Sequence, residues 1–144
     1  MNRYLILLGA GVVAAATAYS LTQFTTSTDT AQPPATPEGS AMVQITLPPI
    51  EGNAAIGQQI FEAACSRCHG VNGVGNTTAG PPLIHKIYEP SHHADEAFQR
   101  AVATGVRSHH WKFGNMPPVE GLTRGDVTMI IAYIRDVQRA NGIN

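Results

Sequence analysis

Alternating polar and apolar residues, the mark of a β-strand, do not appear over any useful length of this chain. Charge is sparse. Charged residues make up 13% of the 144 positions and the formal net charge is −1. That balance excludes the basic face on which nucleic-acid binding depends. Cysteine is scarcer still: Cys65 and Cys68 are the only two. Four thiolates for a structural zinc site are therefore not available. Tryptophan occurs once, at Trp111. What remains suits one modest globular domain with additions at its N-terminal side.

The two cysteines stand in Cys65-Ser-Arg-Cys68-His69. A Cys-x-x-Cys-His run reads as a c-type haem attachment site. Two thiols three positions apart can each add to a porphyrin vinyl group, and the next residue sets an imidazole beneath the iron. The motif consumes both thiols and leaves none for a structural disulfide. A thioredoxin-type pair is the competing reading, but it calls for a βαβ context, and the residues before Cys65 read as helix. The implied cofactor is one haem c, bound covalently through Cys65 and Cys68.

Three segments follow from composition. Residues 1–24 open with a basic Asn2-Arg3 start and an apolar run from Leu5 to Ala18. They read as an N-terminal transmembrane anchor helix or a signal peptide. Extended to Phe24, the run reaches about 20 residues, the length of a bilayer span. Ala16-Thr17-Ala18 resembles a cleavage site. Residues 25–50 are rich in Pro, Thr and Ala and read as an extended linker. Residues 51–144 form the domain. Either reading of the first segment delivers that domain to the periplasmic side of a bacterial inner membrane, anchored or, after cleavage, soluble.

Within the domain, Asn53 is a candidate N-cap for a helix from Ala54 to about Ala64, with Ile56, Ile60, Phe61 and Ala64 on one face. Gly57 inside it is either tolerated or a point of close approach, with Tyr133 the aromatic expected over it. A second helix is expected from His92 to Thr104, capped by Ser91, with Asp95 and Glu96 in its first turn and Gly105 at its end. The last helix follows Thr123-Arg-Gly-Asp126, a capping-box pattern. It continues through Val127, Ile130, Ile131, Ile134 and Val137, and Asn141-Gly142 stops it. Residues 70–80 read as a loop.

These parts together resemble a monohaem class I cytochrome c of the bacterial type, over roughly Asn53 to Ala140. The motifs are Gly57-x-x-x-Phe61, Cys65-Ser-Arg-Cys68-His69-Gly70, Gly73-x-Gly75, Gly80-Pro81-Pro82-Leu83, Asn115-Met116-Pro117-Pro118 and Leu122-Thr123 before Ile-Ile-Ala-Tyr-Ile. The resemblance implies an all-α fold wrapped round one haem. It also implies the Asn-Met-Pro methionine, Met116, as distal iron ligand, and the Pro81 carbonyl as acceptor for the His69 ring. The residues themselves add that a soft thioether suits iron and that Pro117 and Pro118 stiffen the chain beside it. Met42, Met129, His109 and His110 stand as rivals. Trp111 either reaches a haem propionate or packs ordinarily. His85, His92, His93, His109 and His110 are either loop histidines or a second metal site.

The expected function is one-electron transfer between membrane or periplasmic redox proteins, with no catalytic residues. The alternatives are a haem-bearing relay subunit of a larger dehydrogenase or oxidase complex, and a metal-binding module built on the histidines.

Overall fold

The computed structural model describes residues 39–144. Among these residues the regular structure is helical: α1 (Gly52–Ala64), α2 (Ser66–His69), α3 (Asp95–Thr104) and α4 (Arg124–Ala140), with short 3-10 turns at Val71–Gly73 and Lys86–Tyr88. Two isolated bridges, Asn76 with Gly80 and Val106 with Met116, are the sheet-like pairings among the described residues. No described helix is long and apolar enough to cross a membrane. The anchor or signal expected over 1–24 lies outside the described residues.

Helices α1 and α4 cross closely. A β-carbon on Gly57 would overlap the carbonyl of Met129 and come within 2.8 Å of the Ile130 nitrogen. Glycine is therefore required by a backbone-on-backbone approach. The atoms nearest that β-carbon are backbone, not the Tyr133 ring that the sequence expectation put there. One turn further along both helices, Tyr133 instead meets Phe61, ring centroids 5.7 Å apart. Phe61, Tyr133, Ile134 and Val137 are wholly buried there, with Ala54, Ile84 and Ile130 around them. Ile56, placed on the apolar face by spacing, is 51% exposed, and Ala64 is exposed too. The true inner face is set by Ala54, Gly57 and Phe61.

Helix ends differ from expectation at two places. Glu51, not Asn53, is the N-cap of α1, and it makes no side-chain cap bond. The Glu51 carbonyl already accepts from Ala55, at 3.4 Å, so Asn53 lies inside the first turn. Helix α3 starts at Asp95 with Ala94 as N-cap, rather than at His92 after Ser91. The Glu89 carbonyl takes the N–H groups of both His92 (3.0 Å) and His93 (2.8 Å), which commits those residues to a turn. The end of α3 and the start of α4 agree with the sequence. Gly105 takes φ 75°, and Thr123 and Asp126 form a reciprocal capping box.

Residues 40–50, assigned by composition to the linker, lie against the domain. Met42 and Val43 donate to the Val74 carbonyl at 3.1 and 3.2 Å. Thr46 and Asn141 exchange two hydrogen bonds of 2.8 Å. Ile45 and Ile50 pack on the core.

A polar group missed in the sequence holds the middle of the domain to α4. Arg135, buried on that helix, donates to the carbonyls of Tyr88 (2.7 Å) and His93 (2.6 Å) and to Gln138 Oε1 (2.6 Å). It also pairs with Asp95 at 2.9 Å and lies 5.0 Å over the Phe98 ring. Gln138, fully buried, donates to the Leu83 and Tyr88 carbonyls. Buried carbonyls outside helices need such donors. The 83–93 segment has no ladder of its own to supply them.

Candidate functional site

The Cys65–His69 segment is a tight turn at the end of α1. Cys65 donates to the Phe61 carbonyl at 2.8 Å, and its own carbonyl accepts from Cys68 (3.1 Å) and His69 (3.0 Å). Both thiols are free, Cys65 half-buried and Cys68 exposed. Burial, then the Glu62 carboxylate and Cys68, push the Cys65 thiol up to about 11 from 9.0. Redox-active cysteines need a lowered pKa to supply thiolate. The shift here runs the opposite way and removes support from the thioredoxin-type reading.

Gly70 leaves this turn at φ 74°, and a β-carbon on it would overlap the Gly75 carbonyl. That close return brings the 75–82 segment back over the cysteines. Gly80 packs so near the Cys68 carbonyl that a β-carbon would stand 2.9 Å from it. Pro81 follows, and its carbonyl lies 2.9 Å from His69 Nδ1. Carbonyl oxygen can only accept, so Nδ1 carries the proton and the lone pair is on Nε2. Burial lowers the His69 pKa, partly offset by the Pro81 bond, and keeps the ring neutral.

Met116 stands on a loop from 105 to 118 that is fixed at several points. Val106 and Met116 exchange backbone bonds of 2.9 and 3.0 Å. Asn115 Oδ1 accepts from Ser108 N at 2.9 Å, and the Ser108 hydroxyl donates to the Trp111 carbonyl. Met116 and Pro81 line one cleft with Tyr88, Val106, Trp111 and Phe113. Trp111 and Phe113 also border a wider cleft of about 650 Å³ with Thr77 and Lys112. The other two methionines among the described residues lie elsewhere. Met129 is on α4 at the Gly57 crossing, and Met42 is beside Gly75.

Trp111 supplies the test of what fits here. Its indole Nε1 is buried and makes no hydrogen bond of normal geometry among the described residues, although the Tyr88 hydroxyl is close enough to interact with it. Leaving a buried donor unpaired costs roughly 1–3 kcal/mol. A group entering the cleft with an acceptor oxygen, such as a haem propionate, would remove that cost. His85 props the Trp111 ring edge-on at 5.2 Å, while its Nδ1 accepts from Ile87 N. Two free thiols, a neutral imidazole with its Nε2 lone pair available, a thioether and an unpaired donor match the needs of haem c.

A family model for cytochrome c matches residues 54–138. The chain belongs to the cytochrome c family. Its fold is the all-α class I cytochrome c fold, and its activity is haem-based electron transfer. No curated protein matches the chain. In this cytochrome the cysteine motif is a local sequence signal, whereas Pro81 is what the family resemblance implied, and its carbonyl lies at His69 Nδ1. Arg135, Gln138 and Tyr88 were not readable from the sequence. The one available hint was an arginine inside an otherwise apolar helical stripe.

Proposed function

We propose that this cytochrome carries a single haem c, thioether-linked to Cys65 and Cys68 with His69 and Met116 as axial ligands. It passes single electrons between redox proteins on the periplasmic side of a bacterial inner membrane. The observation that carries the reading is that Pro81, which holds His69, and Met116, on a separately fixed loop, border one cleft. When bound, the haem iron supplies a reversible one-electron change, with a potential that methionine–histidine ligation raises.

The protein's residues do the rest. Cys65 and Cys68 would hold the haem through thioether bonds, each S–H added across a vinyl group with no net oxidation. His69 keeps its proton on Nδ1 toward Pro81 and offers Nε2. Met116 offers a soft sulfur from a backbone held by Val106. Trp111 offers its unpaired N–H to a carboxylate. With His69 and Met116 both holding the iron, no position would be open for oxygen or peroxide, which favours a carrier over a catalyst. Residues 1–24, as an uncleaved anchor, would keep the domain close to membrane partners and raise its effective concentration.

Potentiometric titration of the purified protein tests this reading. One electron should be exchanged reversibly, and the ferrous form should be inert to carbon monoxide. Rapid carbon monoxide binding by the unaltered protein would contradict the closed coordination.

A further inference from the structure

Four of the six histidines gather in one place from two separate segments. His92 and His93 come from the turn before α3, and His109 and His110 from the loop that leads to Met116. The Nε2 atoms of His92 and His110 are 3.4 Å apart. His92, His93 and His110 each bring a ring nitrogen within 4.8 Å of the other two. His109 lies behind, tilted 52° to His110 with centroids 4.1 Å apart, and stacked on His93 at 6.0 Å.

We propose that His92, His93 and His110 form a binding site for a divalent transition-metal ion of tetrahedral habit, zinc above all, beside the cleft that Met116 and Pro81 line, which His110 also borders. Tetrahedral zinc–imidazole bonds of about 2.0–2.1 Å place two ligand nitrogens about 3.3–3.4 Å apart. The His92–His110 separation has that value already. A square-planar copper(II) site would bring neighbouring nitrogens to about 2.8 Å, so geometry favours zinc even though copper(II) binds nitrogen ligands more tightly in general. Three protein ligands leave the fourth position to water.

The surroundings prepare the rings for this role. His93 Nδ1 donates to the Ile87 carbonyl at 2.6 Å, which leaves its Nε2 as the free lone pair. Such an outer bond is the usual support of a metal-binding histidine. The backbone of His93 is held twice more, through its N–H to Glu89 and its carbonyl to Arg135. Burial and then neighbouring charges (His92, His109 and Arg135 for His93; His109, His93 and His92 for His110) lower the pKa of both rings. Both therefore favour the neutral, metal-binding form. Lys86 and then Ser91 hold the Glu89 carboxyl below its usual range, and it feels His92 as well.

The site is tested by calorimetric titration of zinc into the full-length, haem-loaded protein without an affinity tag. Binding should saturate at one equivalent. His92→Gln and His110→Gln, both at exposed positions, should each weaken it by at least about tenfold, and His92→Gln, outside the Met116 cleft, should leave the visible haem spectrum unchanged. X-ray absorption of the zinc-loaded protein should show three imidazole ligands. Zinc binding by the unaltered protein no tighter than by the His92→Gln/His110→Gln double variant would overturn the proposal, leaving only a hydrogen-bonded histidine pair. So would a zinc shell with fewer than two imidazoles.

Discussion

The Tyr133 hydroxyl donates to Asn72 Oδ1 at 2.9 Å, tying the inner face of α4 to the turn that follows His69. Asn72 takes φ 56°, and its N–H donates to Glu62 on α1 at 2.9 Å. Asn72 thus links both crossing helices, to α4 through its side chain and to α1 through its backbone N–H. Tyr133→Phe keeps the ring against Phe61 but strands Asn72. The expected loss is about 1–2 kcal/mol of stability, measured by denaturant unfolding. An unchanged midpoint would show that water replaces the hydroxyl at no cost.

The Gly57 crossing gives a sharper expectation. Its would-be β-carbon meets backbone, which cannot rotate away. Gly57→Ala should cost about 2–3 kcal/mol through overpacking, a fall of roughly 10–20 °C in Tm, and Gly57→Leu more. Gly125→Ala on α4 is the contrast, because a β-carbon there meets only the Thr123 hydroxyl at an ordinary 3.5 Å. It should leave Tm unchanged or raise it. Equal effects at both positions would refute the close crossing.

Met116→Ala should open the iron to carbon monoxide, lower the reduction potential and abolish the weak near-infrared band of sulfur–iron ligation. Met129→Ala, at the α1–α4 crossing, should leave the band in place. The opposite pattern would move the ligand to Met129. Absence of the band from the unaltered protein, with His110→Ala altering the spectrum, would favour a second histidine ligand.

Acid should weaken the start of α4. The Thr123 hydroxyl and backbone N–H hold the Asp126 carboxyl below its usual 3.8. A depressed carboxylate contributes stability above its unfolded pKa, and that contribution is lost as pH falls through the lower folded value. NMR titration of the ferrous protein should place the Asp126 midpoint below 3.8, and Thr123→Ala should move it upward. A midpoint at the ordinary value in the unaltered protein would mean the cap bond is absent in solution.

The parts legible in the sequence are those whose physics is local. The haem motif, the Thr123–Asp126 box and the Gly105 stop each need only a few adjacent residues. Asn53 and Ser91 look equally good as caps, but the carbonyls of Glu51 and Glu89 decide those turns, and carbonyls carry no sequence signal. Tyr133 was paired with Gly57 because spacing gives a helix face and not the register between two helices. The crossing lies one turn earlier, at Met129. Arg135 reads as an exposed charge until the 83–93 segment brings its carbonyls beneath it. The histidines show the same limit, since only the fold brings His92 against His110.

The central claim is a haem joined covalently to Cys65 and Cys68, and mass spectrometry of the denatured protein with haem staining after electrophoresis tests it most directly. The unaltered chain should carry the mass of one haem and stain, and the Cys65→Ala/Cys68→Ala variant should do neither. A stained band from that double variant, or an unaltered chain that leaves its haem behind on denaturation, would contradict the account.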